Sequence, residues 1–208
     1  MGRLQGALSS LSAADLGGFA IAGALERSGV PPTDVDYVVL GQVLQAGAGQ
    51  NAARQAAIAG GLGMAIPALT INKVCLSGID AIALADQMIR AGEFDTVVAG
   101  GIESMSQAPH LLIGSREGKK YGDWTMIDAL AFDGLTCAFD ECAMGEATER
   151  YNDRYALTRQ EQDAVAEASQ RRAAAAQSAG ILAEEITPVR NPQRKADDIV
   201  VTDDEGTR

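Results

Sequence analysis

Residues 76–91 read as a helix with little room for water on any side. Ile79, Ala81, Ile82, Ala83, Leu84, Ala85, Met88 and Ile89 leave no wide polar face. A helix that covers a single sheet shows a polar stripe. The pattern therefore predicts a helix packed between two layers, buried on most of its circumference. A β-type run at 68–74 precedes it, and Cys75 stands at the joint, a position expected to lie in the interior. A second β-type run at 96–99 follows and ends in Gly100 and Gly101. A cysteine at a helix start meets unpaired backbone N–H groups and the positive end of the helix dipole. Both favour thiolate, the nucleophilic form. The other reading is an inert core thiol, because free cysteine is among the most buried residue types. Spacing alone does not choose between the two.

The chain before this stretch alternates in the same way. Ser12 opens a helix with Asp15 placed for a capping box, and the helix runs to about Arg27 before Gly29. A compact apolar strand at 35–40 ends at Gly41, and a second helix spans 51–60. Strands alternating with helices predict an α/β domain with largely parallel pairing, here with three strands. From about His110 the composition changes. A charged loop at 115–120 is followed by a predicted short helix at 126–132, a second at 144–155 and a long one at 158–179. The long one has Thr158 and Glu161 as a capping box and Gly180 as its stop. Residues 186–189 read as extended, and 203–208 carry no capping or packing signal.

Apolar residues make up 47% of the 208, enough for a core, and the formal charge of −11 argues against a nucleic-acid surface. The three cysteines (Cys75, Cys137 and Cys142) form no even framework, which points to a reducing compartment. The spacing of Cys137 and Cys142 is a weak metal signal, since no His nearby completes a zinc set. No signal peptide is expected in the first ten residues, and no apolar run approaches the ~18–20 residues that span a bilayer. A cytoplasmic protein without membrane partners is expected.

Several separate motifs, in a fixed order, carry a resemblance. NKVCLSG at 72–78 and GGIESMS at 100–106 are similar to the nucleophile and ESMS signatures of the thiolases. GQVLQAGAGQ at 41–50, APH at 108–110 and TRQEQD at 158–163 also fit that family. Thiolases are acyl-CoA acyltransferases that include acetyl-CoA acetyltransferase. The resemblance implies an α/β, thiolase-like layered fold, with an incomplete N-terminal half-domain at 1–109. A truncated, α-rich loop domain that covers coenzyme A would follow at 110–208. It places the chain after the family's first strand and before its last, and leaves the C-terminal half outside it.

By the same resemblance Cys75 attacks the acyl-CoA thioester and carries the acyl group. Leu135 lies on the pantetheine side, Met144 lines the acyl pocket, and Arg208 lies against the adenine. Ala143 stands where the family's His-Met-Gly segment has His, which removes a side chain that contacts the thioester. His110, the only histidine, does not match the catalytic His. That His, the second catalytic Cys and a water-positioning Asn belong to the C-terminal half. The implied parent reaction condenses two acetyl-CoA to acetoacetyl-CoA and CoA, or runs as the reverse thiolysis within fatty acid metabolism. No cofactor, metal or redox, is implied; the coenzyme A thioester is the substrate. Expected partners are acetyl-CoA or another acyl-CoA, and a C-terminal thiolase half or a homo-oligomer partner. The rival readings are a non-catalytic CoA-binding or subunit-interaction remnant, and one chain of a split thiolase.

Overall fold

A computed structural model describes residues 1–193 and 197–207, and it divides them into two compact units. The layered core belongs to Ser9–Leu130. Its centre is a parallel three-stranded sheet in the order β2-β1-β3, with β1 at Tyr37–Gly41, β2 at Ala68–Ile71 and β3 at Val97–Gly101. Three helices accompany it: α1 (Ala13–Ser28), α2 (Ala52–Ala59) and α3 (Ser77–Arg90). Each begins or ends on a local signal. The Ser12–Asp15 capping box is formed at α1, and Gly29 closes that helix in the left-handed conformation at φ 67°. Asn51 caps α2 by accepting from the Arg54 N–H.

The strand order explains which face each helix occupies. The chain leaves β1 for β2 on one side through α2, then crosses over β1 to β3 on the other side through α3. Right-handed crossovers in opposite directions put the two helices on opposite faces. Side chains alternate accordingly along β1. Val38 and Leu40 join the core with Ile21, Leu25, Ala53 and Ala56, on the side of α1 and α2. Val39, equally buried, belongs to the other face, where α3 packs on β1 and β3. Burying such a valine contributes about 1.5–3 kcal/mol.

The helix expected between two layers is covered by one. In α3, Ala81 and Ala85 are buried against the sheet, while Ile79 and Ile82 are 69% and 56% exposed and Ile89 is exposed too. Cys75 is likewise exposed rather than interior. The apolar pattern does form a helix, but among the described residues no second layer lies on its outer face. The β-run at 68–74 is also shorter than expected, because the chain turns after Ile71.

Within the same unit a small antiparallel pair joins β4 (His110–Leu111) to β5 (Ile127–Asp128). The helix predicted at 126–132 is therefore wrong in its first half. Residues Leu130–Leu135 do coil, but as a π-helix. The Asp128 carboxylate accepts the Leu130 N–H and so starts this turn where strand pairing stops.

The other unit comprises Met1–Leu8 and Ala131–Arg208. It holds α4 (Met144–Tyr155), α5 (Arg159–Ser178) and an antiparallel pair of β6 (Val189–Asn191) with β7 (Ile199–Val201). The Thr158–Glu161 capping box is formed at α5. Glu205, in the segment that carries no packing signal in the sequence, does pack. The Glu205 carboxylate accepts the backbone N–H groups of Arg3 at 2.8 Å and Ala7 at 3.2 Å. Those donors hold it below the ordinary carboxylate range, Arg3 first. A single acidic residue meeting a distant turn has no sequence periodicity, so nothing in the pattern announces it.

Candidate active site

The carboxyl ends of parallel strands are where open α/β sheets leave room for ligands, above all where the chain reverses its direction of travel across the sheet. Here the register aligns Gly41 of β1 with Ile71 of β2 and Gly101 of β3. The three segments that emerge side by side are 72–76, 42–45 and 102–104, and Cys75 belongs to the first, which follows the edge strand β2. Polar side chains tie them together. Glu103 Oε2 accepts the N–H groups of Val43 at 2.9 Å and Leu44 at 3.2 Å. Asn72 Nδ2 donates to the Val43 carbonyl at 3.3 Å, and Asn72 Oδ1 accepts the Val74 N–H at 2.9 Å. Glu103 Oε1 and Gln42 Oε1 are buried acceptors without a donor among the described residues.

The backbone at Cys75 is tight. Val74 holds φ 48°, a left-handed conformation that a β-branched residue rarely adopts. Leu76 N–H donates to the Lys73 carbonyl and Ser77 N–H to the Val74 carbonyl, so the chain folds back on itself around Cys75. Lys73 Nζ reaches Asp80 in the first turn of α3 at 2.6 Å. The helix start has no side-chain cap, unlike those of α1, α2 and α5. The Leu76 and Ser77 N–H groups are used within this turn, so those of Gly78 and Ile79 are the ones left as natural donors for an anion at the helix start. Gly41 makes this close approach possible. A Cβ built on it would stand 2.3 Å from the Ser77 carbonyl carbon and 2.5 Å from its oxygen. Glycine here serves proximity, not a special φ.

Of the other residues singled out in the sequence, Leu135 and Met144 fall in the second unit. The Thr136–Ala143 bridge brings them near each other, one on each side of it, and both are exposed. Cys137 and Cys142 close the turn between them through a 2.9 Å hydrogen bond from the Cys137 N–H to the Cys142 carbonyl. Cys142 is buried and Cys137 half-buried. Among the described residues no group of three or more His, Cys, Asp or Glu side chains is placed to hold a metal ion. His110 is exposed, at the first position of β4. Arg208 lies outside the described residues. Sequence reasoning missed Asn72, Ser77 and Glu103 as the residues that build the turn. The available signal was the Asn two residues before Val74, a common Asx-turn spacing.

The sequence model described as "Thiolase, N-terminal domain" matches residues 1–208. The chain belongs to the thiolase family. Among its relatives, the probable acetyl-CoA acetyltransferase of Mycobacterium leprae (strain TN) is 58% identical over 208 residues, covering 100% of this chain and 53% of that protein. The acetyl-CoA acetyltransferase of Cupriavidus necator is 49% identical over the same 208 residues, again 53% of its length. The probable acetyl-CoA acyltransferase of Staphylococcus aureus is 47% identical, also covered to 53%. The chain thus spans about half the length of the curated relatives it matches, and it corresponds to the N-terminal half of the thiolase.

Proposed function

We propose that this chain supplies the acyl-accepting half of an acetyl-CoA C-acetyltransferase. The observation that carries the reading is the Cys75 turn. An exposed thiol stands at the uncapped start of α3, at the carboxyl edge of a parallel sheet, in a stretch that resembles the thiolase nucleophile signature. The Cys75 thiolate attacks the acetyl-CoA carbonyl carbon, and the oxygen takes the negative charge. Backbone N–H groups at the α3 start, with that of Cys75, offer donors for this oxyanion. The C–S bond to coenzyme A then breaks, CoA leaves as thiolate, and acetyl-Cys75 remains. Leu135 is assigned to the pantetheine side and Met144 to the acyl group, by family likeness. The chemistry calls for no metal or redox cofactor: acetyl transfer to Cys75 is thioester exchange, condensation forms a C–C bond after proton removal, and neither needs an external oxidant or reductant.

Condensation needs a base of suitable pKa beside the second acetyl-CoA. His110 is the only histidine, and it lies on β4, outside the Cys75 turn. In this reading the base comes from a C-terminal thiolase half, and the exposed apolar flank of α3 is the surface that half covers. Relatives about twice as long and the bare outer face of α3 support that assignment. No helix among the described residues is long and apolar enough to cross a membrane, which agrees with a cytoplasmic acyl-CoA enzyme.

The test is the mass of the 208-residue chain after exposure to acetyl-CoA, with and without Cys75→Ser. One acetyl group, on the Cys75 peptide and lost in the variant, is expected. Acetoacetyl-CoA thiolysis by the pure chain should stay at background. An unmodified chain that still binds CoA would replace this reading with the CoA-binding remnant. Robust Cys75-dependent thiolysis would show that the base lies within these residues.

A further inference from the structure

Ser77 is buried, only 4% exposed, yet its hydroxyl makes two hydrogen bonds that bracket the approach to Cys75. Its Oγ accepts the Lys73 N–H at 2.8 Å and donates to the Val74 carbonyl at 2.6 Å. The two backbone groups belong to the residues immediately before the cysteine. Val74, the second of them, is the one held at φ 48°. Left-handed backbone at a β-branched residue is costly and persists only where surrounding contacts over-determine it. The Asn72 carboxamide supplies one such contact, through the Val74 N–H, and the Ser77 N–H supplies another. The Ser77 hydroxyl adds two more, one on each of the Lys73 and Val74 backbones. Ser77 is itself fixed from below, because its backbone lies where only Gly41 leaves room.

From this geometry we infer that Ser77 is a positioning residue: its hydroxyl clamps the strained Val74 turn, and that turn sets where the Cys75 thiol points. The inference deepens the reading of Cys75 as the acyl acceptor, and rests on it for its bearing on catalysis. Ser77 acts on the backbone that carries the sulfur, not on the sulfur itself. If the clamp serves to hold Val74 left-handed, a glycine at 74 makes it dispensable, since glycine adopts that conformation without strain.

The experiment is iodoacetamide alkylation of the 208-residue chain, read by peptide mass as the rate at Cys75 relative to Cys137 in the same sample. Ser77→Ala should lower that ratio by roughly three- to tenfold, the range for one or two hydrogen bonds removed. Val74→Gly should leave it within about twofold and raise the thermal midpoint by relieving the strain. The double variant, Ser77→Ala with Val74→Gly, should recover the wild-type ratio to within about twofold. Restoration is the decisive arm, since a hydroxyl with a general stabilising role would not be replaced by a glycine three residues away. An unchanged ratio in Ser77→Ala, no recovery in the double variant, or a lower midpoint in Val74→Gly overturns the inference. Should Ser77→Ala fail to fold, the midpoint of Val74→Gly and the double variant still decide it. Acetyl transfer from acetyl-CoA is scored separately. If wild-type Cys75 alkylates selectively but takes no acetyl group, the acyltransferase reading fails while the clamp stands.

Discussion

Cys75 should be the first thiol to react in the folded chain, ahead of half-buried Cys137 and buried Cys142. Brief labelling with iodoacetamide at neutral pH, followed by peptide mass, checks the order; early labelling of Cys142 would contradict it. Asp36 offers a second residue-scale prediction. Its carboxylate accepts the N–H groups of Thr96 and Asp95, each at 2.9 Å, which hold it below the ordinary carboxylate range, Thr96 first. A depressed folded-state value adds stability above the unfolded value of about 3.9, and that stability is lost as pH falls through the folded one. Asp36→Asn should therefore lower the urea midpoint at pH 7, and its gap from wild type should narrow below about pH 4. Of these residues only Cys75 is legible in the sequence, because a motif and a helix start coincide there. Asp36 and Glu103 act through backbone groups brought in by the fold, some 60 residues away, and no local pattern encodes that. The partners of Ser77 lie three and four residues before it, in a turn that its residue types, Asn72 aside, do not announce.

Elements are the most readable level. The caps at Ser12 and Thr158 and the left-handed stops at Gly29 and Gly180 lie where the residue types put them. Ser12→Ala should cost about 1 kcal/mol in chemical unfolding, the usual effect of losing an N-cap. Gly41→Ala should cost more, about 1–3 kcal/mol or above, because the new methyl meets Ser77 backbone and not a flexible side-chain end. Urea melts of the two variants give the comparison, and a Gly41→Ala variant as stable as wild type would mean that α3 can retreat freely. The region after His110 is less readable. A two-residue strand such as β5 is fixed by its partner β4 and has too few positions to show a period. The same holds for β7, three residues long and fixed by its partner β6.

At the scale of the whole molecule, the outer flank of α3 decides behaviour in solution. Each exposed isoleucine there forgoes roughly 1.5–3 kcal/mol of burial, so the isolated chain should bind an apolar dye and elute from a sizing column in a concentration-dependent way. Ile79→Glu with Ile82→Glu should abolish both without lowering the thermal midpoint, as both side chains are mostly exposed. Sequence periodicity could show that α3 wants cover on all sides, but not which layer its own chain provides. The sheet order has a further consequence, in time. The most buried strand, β1, is also the first of the three to be synthesised. Its partner Val98 lies 60 positions beyond Val38 (98 − 38), and Ala68 lies 30 beyond (68 − 38). A nascent chain therefore leaves one hydrogen-bonding edge of β1 unpaired until β3, ending at Gly101, has cleared the ribosome. Refolding should accordingly be slow for the unit's size, in the millisecond-to-second range of non-local topologies. The strand that anchors the fold is the one that waits longest for its neighbours.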